Sequence, residues 1–162
     1  SEFIENNYIK HENPEHGATA GFSSIKHIST VKIIDYIQVE PFISRLVNLA
    51  YQIANYDFGY DTFGPHLGQP LLYNTYQSKK KDYYDWHYDE SRSATFDCKM
   101  TLLINLSTEP YKGGEFQTWT NMENSHSDYD QTGSAIMIKS NVYHRVLPVT
   151  KGTRYTYITW VY

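Results

Sequence analysis

The chain encodes a mainly β domain, an antiparallel sandwich or barrel with one supporting helix. Three observations point that way. Aromatic residues, which suit pleated surfaces, are numerous: 16 Tyr, 7 Phe and 3 Trp among 162 residues. From residue 71 onward, short apolar runs alternate with Gly-, Pro-, Asn- and Lys-rich turn signals. One stretch, 41–56, carries apolar residues at intervals of three and four. The length is that of one domain with a real core, and no internal repeat is visible.

The elements follow in chain order. Residues 1–30 are polar, rich in His, Asn, Ser and Gly, and are expected to form an irregular arm. VKIIDYIQV (31–39) is β-rich and is expected to be a strand. Pro41 then suits a helix start, and Phe42, Leu46, Leu49, Ala50 and Ile53 would form the apolar face of a helix over 41–56. The segment 59–70, punctuated by Gly and Pro, reads as loop. A β core over 71–162 follows. Its expected strands are LLYNTYQ (71–77) and YYDWHYD (83–89), joined by a KKKD turn. KMTLLINLS (99–107) is almost continuously apolar, so it should be buried on both faces. PYKGG (110–114) turns into EFQTWTN (115–121). The polar segment 121–133 offers little to bury and is expected to be mobile, as is the arm, with one of them closing over substrate as a lid. AIMIKS (135–140), VYHRVLPV (142–149) and RYTYITWVY (154–162) complete the set.

Composition excludes several classes of function. The net charge is −4 with no basic block, which argues against a nucleic-acid surface. Cys98 is the only cysteine, which excludes an internal disulfide and a Cys-rich zinc site, and fits a reducing, cytoplasmic setting. The apolar runs are too short for a membrane span, and no signal-peptide pattern is present.

The chemistry centres on YDWHYDES (84–91), where His87 and Asp89 stand two apart. With 7 His in the chain, roughly 0.4 such pairs are expected by chance, so the pair alone could mark a solvated turn. On a strand, both side chains would point to one face with Tyr88 opposite. That suits two ligands of one metal, with His144 as the third. Two His and one carboxylate form the facial triad of non-haem Fe(II) oxygenases, and also suit zinc with an open position. Arg154, ten residues after His144, could pair with the distal carboxylate of a 2-oxo diacid through a planar fork that Lys lacks.

These residues stand in a series that resembles the iron- and 2-oxoglutarate-dependent oxygenases. Within them it is most similar to the prolyl-4-hydroxylase-like group and its PKHD-type hydroxylases. The matching features run in order from 71 to 162: YNTY, the pair in HYD, TLLINL, KGGEF, and HRVLPVTKGTR with Trp160 six residues after the Arg. The resemblance implies a double-stranded β-helix, the cupin-like jelly roll, with Fe(II) held by His87, Asp89 and His144. It assigns Arg154 to the distal carboxylate of 2-oxoglutarate and Tyr76 to holding the same molecule. Tyr84 matches an aromatic that faces substrate. Some relatives place a Tyr where this chain has Leu103; Thr156, two past Arg154, would serve instead. O2 is the implied co-substrate, with ascorbate an optional reductant.

The implied reaction is radical hydroxylation of a C–H bond with release of succinate and CO2. The presence of Asp89 favours hydroxylation, because halogenating relatives lack that carboxylate. Family members act on protein prolines, free amino acids and other small molecules. Here a mouth lined by Tyr83, Tyr84 and Trp86 would stack a proline ring or another apolar group. Two alternatives stand beside this: a zinc hydrolase with Glu90 as base, and a non-catalytic jelly-roll module gripping a sugar or peptide. Tyr83, Trp86 and Trp119 also read as packing or rim residues, His66 and His126 as solvated, and Gly113–Gly114 as a tight turn.

Overall fold

The structure, a computed structural model, describes residues 26–28, 30–62, 64, 70–89 and 97–162. Most of the arm expected over 1–30, much of the 59–70 loop, His66 and Glu90 lie outside the described residues. The strands are β1 (Lys26–His27), β2 (Thr30–Asp35), β3 (Pro70–Gln77), β4 (Tyr83–His87), β5 (Met100–Asn105), β6 (Lys112–Gly113), β7 (Phe116–Trp119), β8 (Glu123–Ser125), β9 (Ala135–Lys139), β10 (Tyr143–Val146), β11 (Val149–Lys151) and β12 (Thr153–Val161). The helix α1 is Tyr36–Tyr56.

Two five-stranded sheets carry the fold, in the orders β2-β3-β12-β5-β9 and β1-β4-β10-β7-β8, with β6 and β11 as a separate pair. Within them β3 pairs with β12, β4 with β10, β5 with β9, and β7 with β8, all antiparallel. These are the outer to inner pairs of one long hairpin wrapped across two sheets, which is a jelly roll or double-stranded β-helix. The expected fold class is therefore the observed one.

Side-chain alternation gives the first sheet two buried faces. Along β12, Tyr157 and Val161 join Leu71, Tyr73, Met100, Leu102 and Ile104 in a core under α1. Tyr76, Leu103, Phe116, Val146 and Val149 form a second core that draws on both sheets. All six residues of β5 are buried, which accounts for the unbroken apolar run at TLLI.

Two expectations need correction here. The strand expected over 31–39 ends at Asp35, and α1 begins five residues before Pro41, which lies inside it. Tyr36, Val39, Val47, Ala50 and Ala54 are buried in the helix–sheet core, with Ile43 packed against it. That three-and-four spacing runs through the supposed strand, so burial of one helical face outweighed the β propensity of the local sequence. The face is also rotated from the expected one: Leu49 is 48% exposed, and the Phe42 side chain lies outside the described residues. Second, the segment 121–133 is folded. It contains β8 and a 3-10 turn over Ser127–Asp130, and it buries Tyr129 in the inter-sheet core. No helix among the described residues is long and apolar enough to cross a membrane.

Candidate active site

Strand register builds the site. β4 and β10 pair so that His87 lies opposite His144, and their rings come within 4.1 Å of each other, centroid to centroid. Asp89 follows β4, with its backbone N–H donating to the Ser140 carbonyl at 3.0 Å. Its Oδ1 lies 3.6 Å from His87 Nε2 and its Oδ2 lies 3.6 Å from His144 Nε2. One ligand atom from each of the three residues can be chosen so that all lie within 4.8 Å of one another.

The hydrogen bonds set the tautomers. His87 Nδ1 donates to the Asp85 carbonyl at 2.7 Å, and His144 Nδ1 donates to the Val142 carbonyl at 2.8 Å. A carbonyl only accepts, so both Nδ1 atoms carry a proton and both Nε2 atoms are turned toward Asp89. Burial, and then the neighbouring His144, pull the His87 pKa down to about 4, so this imidazole stays neutral across the physiological range. Thr101, on β5, donates to Asp89 Oδ2 at 2.7 Å and fixes that carboxylate. The arrangement offers two imidazole nitrogens and one carboxylate oxygen to a cation.

The triad opens into a cavity of about 280 Å³ between the two sheets. Leu72, Leu103, Phe116, Val146 and Ile158 give it apolar walls. Arg154 enters from β12, opposite Tyr76 on β3, and is 1% exposed. Its guanidinium stands 5.3 Å from the Tyr76 ring and 5.5 Å from the Tyr129 ring. Yet its Nε and Nη2 have no hydrogen-bond partner among the described residues. Two buried donors of a planar fork left unpaired are costly without a ligand, and they match the two oxygens of a carboxylate. Thr156 Oγ1 and Asn74 Oδ1, in register with each other, are also buried, on the cavity wall and without a partner among the described residues. Gly114 makes room for the arginine. At φ +73°, a Cβ there would lie 2.9 Å from Arg154 Cδ and 2.9 Å from Val149 Cγ2.

Of the residues expected from sequence, His87, Asp89, His144, Arg154, Tyr76, Thr156 and Tyr84 all line this one cavity, as does Leu103. Tyr84 stacks on the His87 ring at 3.5 Å with an interplanar angle of 8°. The mouth of Tyr83, Tyr84 and Trp86 is corrected: neither Tyr83 nor Trp86 lines the cavity. Trp86 stacks on Tyr143, meets Trp119 edge-on and carries the Arg145 guanidinium at 4.5 Å. The β4–β10 register is irregular here: Val146 lies opposite Tyr84 and His144 opposite His87, so Tyr84 and His87 share the cavity although they stand three apart, while Trp86 between them packs with Tyr143 and Arg145. Tyr88 is 54% exposed and touches both the cavity rim and Tyr143. His126, expected to be solvated, is half-buried and shares a hydrogen bond with Thr118 at 2.8 Å. Asn74, Thr101, Tyr129 and Lys26 were not foreseen. Only Asn74 had a local signal, standing two residues before Tyr76 on the same strand face.

A family model described as the 2OG-Fe(II) oxygenase superfamily matches residues 71–162, more than half of the chain. The chain belongs to this superfamily. A PKHD-type hydroxylase of Alteromonas mediterranea is 40% identical to this chain over 65 residues, 40% of this chain and 28% of that protein. A second PKHD-type hydroxylase, from Synechococcus sp., is 28% identical over 87 residues, 52% of this chain and 39% of that protein. The chain thus spans well under half the length of either relative. In fold it is similar to a Pseudomonas putida prolyl-4-hydroxylase, with a TM-score of 0.68, 17% identity and coverage of 86% of this chain and 74% of that one. The cofactors the superfamily implies are Fe(II) and 2-oxoglutarate, with O2. The residues present fit them, with a converging His-Asp-His set and, in the same cavity, a buried guanidinium whose Nε and Nη2 have no partner among the described residues.

Proposed function

We propose that the whole chain, residues 1–162, is one catalytic domain that hydroxylates a C–H bond of its substrate. The balance is one C–H bond, O2 and 2-oxoglutarate giving C–OH, succinate and CO2. The observation that carries this reading is the meeting of the His87–Asp89–His144 cluster and the unpaired Arg154 fork in one cavity.

When bound, Fe(II) and 2-oxoglutarate supply the oxidising chemistry, and the protein supplies geometry and exclusion of water. His87 and His144 present Nε2, and Asp89 presents a carboxylate oriented by Thr101. These three residues would hold Fe(II), the set of two His and one carboxylate that non-haem iron oxygenases use. Arg154 would hold the distal carboxylate of 2-oxoglutarate, with its partnerless Nε and Nη2 available to donate. Thr156 offers its hydroxyl beside it, in the place where Leu103 cannot. Tyr76 packs its ring against the guanidinium and limits where the diacid can lie. Phe116, Val146 and Ile158 keep water from the reacting atoms. Tyr84, fixed on His87, faces the substrate. Ascorbate would serve only to restore Fe(II) after unproductive turnover.

For the substrate we propose a small apolar group such as a prolyl residue or a proline-like small molecule. The relatives' names, PKHD-type hydroxylase and prolyl-4-hydroxylase, support that choice. A zinc hydrolase leaves the buried Arg154 without a task, and a passive binding module leaves the triad without one.

The test is succinate release from 2-oxoglutarate with Fe(II), with Zn(II), and after chelation, alongside direct titration of Mn(II) and 2-oxoglutarate. Turnover is expected with Fe(II) alone, and binding with Mn(II) in iron's place. Failure of the protein to bind 2-oxoglutarate, or hydrolysis supported by Zn(II), would overturn the reading.

A further inference from the structure

Four buried polar atoms on the cavity wall have no hydrogen-bond partner among the described residues: Arg154 Nε and Nη2, Thr156 Oγ1 and Asn74 Oδ1. The function proposed above uses the arginine and the threonine. We infer that Asn74 is a further binding residue for the cosubstrate, its side-chain amide donating to the distal carboxylate of 2-oxoglutarate. This rests on the hydroxylase reading and adds a residue that makes the far end of the cavity select a carboxylate.

Strand register gathers these atoms. β12 pairs with β3 so that Arg154 lies opposite Tyr76, Thr156 opposite Asn74 and Ile158 opposite Leu72. Residues opposite each other share a face of the sheet, and so do residues two apart on one strand. All six of these residues line the cavity. Cross-strand neighbours stand roughly 5 Å apart at Cβ, and successive rungs on one face roughly 7 Å apart. The Thr156–Asn74 rung is thus the next one after the arginine, within one small molecule's length of it. The rung after that, Ile158 with Leu72, is apolar. The partnerless atoms therefore form one polar patch beside Arg154, and the wall beyond it returns to hydrocarbon.

Asn74 is 3% exposed, and burying an amide without a partner is costly. The other neighbour of Thr156 shows what this fold does with a structural amide. Asn105, on β5, also lies opposite Thr156 and is fully buried. Its Nδ2 donates to the Tyr111 hydroxyl and to the Tyr129 carbonyl, both at 3.1 Å, and its Oδ1 accepts from the Ser107 N–H at 3.0 Å. Asn105 does not line the cavity, whereas Asn74 does. The fold pairs the amide it keeps inside the wall and leaves partnerless the one it presents to the cavity. A distal carboxylate supplies the missing partner. It has about four lone-pair sites, of which the Arg154 fork fills two. Between apolar walls the others need donors as well. Asn74 Nδ2 brings two hydrogens. Thr156 brings one, which turns either to the carboxylate or to Asn74 Oδ1.

The experiment titrates Mn(II)-loaded protein with 2-oxoglutarate and with oxalate, calorimetrically and under argon. Oxalate chelates a metal as the 2-oxo acid end does but has no distal carboxylate, so it reports on the metal end alone. Asn74→Ala removes the amide donor. Asn74→Asp keeps the shape and replaces the donor with an acceptor. Asn74→Ala should weaken 2-oxoglutarate roughly ten-fold or more, the worth of a hydrogen bond to a charged group. Asn74→Asp should weaken it further, because it sets one carboxylate against another. Affinities for Mn(II) and oxalate should match those of the original protein in Asn74→Ala. Unchanged 2-oxoglutarate affinity in Asn74→Ala would overturn the inference. So would an equal loss of oxalate affinity in Asn74→Ala, which would make the amide a support of the metal end. Tighter 2-oxoglutarate binding by Asn74→Asp than by Asn74→Ala would overturn it too, because no donor would then be needed. Loss of folding in both variants, read from their melting curves, would assign the amide to the fold and would also overturn it. No binding of 2-oxoglutarate by the original protein would fail the hydroxylase reading itself. Binding that depends on Arg154 and not on Asn74 would fail this inference alone, so the two failures are distinguishable.

Discussion

Arg154→Ala is the sharpest probe of the cosubstrate assignment. The side chain is 1% exposed, and two of its guanidinium nitrogens have no partner among the described residues. Truncating one side of a buried, charge-assisted pair costs about 2–5 kcal/mol. That corresponds to a loss of 2-oxoglutarate affinity of roughly 30-fold to several thousand-fold. Arg154→Lys should fall between, because charge survives and the fork does not. The assay is the Michaelis constant for 2-oxoglutarate from succinate release, paired with Mn(II) titration, which should not change because the triad is untouched. His87→Ala should do the opposite and abolish metal binding. Stability offers an independent readout. Without a diacid, the unpaired donors are a burden, so Arg154→Met should melt no lower than the original protein. Adding 2-oxoglutarate with Mn(II) should then raise the melting temperature of the original protein more than that of the variant, which gains only from the metal. If Arg154→Ala leaves 2-oxoglutarate affinity as it was, the cosubstrate assignment is wrong even with the metal site intact.

Thr101→Val removes the hydroxyl that donates to Asp89 and should weaken Fe(II) or Mn(II) affinity by about ten-fold, measured by titration, with little change in melting temperature. Gly114→Ala places a Cβ against Arg154 and Val149 at a left-handed backbone position. It should cost about 1–3 kcal/mol in denaturant unfolding and weaken 2-oxoglutarate while sparing the metal. Burial, and then Asp89, push the Cys98 thiol up to about 12 from an ordinary 9.0. The folded protein should therefore react with iodoacetamide at pH 8 far more slowly than the unfolded chain. Above pH 9 the unfolded chain releases that proton first, so stability should fall with rising pH, and fall less steeply in Cys98→Ala.

Much of the site is legible in the amino-acid sequence, because its parts are short-range. His87 and Asp89 are two residues apart, with Asp89 just past the end of β4, and Arg154 and Thr156 are two apart on one face of β12. The buried β5 announces itself as TLLI. What stays hidden depends on long-range packing. Nothing in the polar string around Tyr129 shows that this ring closes the inter-sheet core beside Arg154. The start of α1 is obscured because Val39 suits a strand as well as a helix, and only the sheet beneath decides. Trp86 reads as a mouth residue because it shares Tyr84's parity, yet the irregular β4–β10 register brings Tyr84 to the side of His87 and leaves Trp86 outside the cavity.

Function here depends on register more than on any single side chain. His144 faces His87 only because β10 and β4 align at that pair, and Arg154 faces Tyr76 only because β12 and β3 align at theirs. A slip of one residue along β12 would turn Arg154 and Thr156 into the core under α1 and bring Tyr155 and Tyr157 into the cavity. Burial on both faces of β12 makes that slip costly, since every inner and outer side chain would change places. The short β6–β11 pair adds a second constraint. Gly113 lies opposite Val149, and a Cβ on Gly113 would lie 2.3 Å from the Pro148 carbonyl. The segment between His144 and Arg154 is therefore held closely against Gly113, next to Gly114. The ten-residue spacing that marks this family is, in physical terms, the length of chain needed to leave one sheet at the metal and return on the other at the carboxylate.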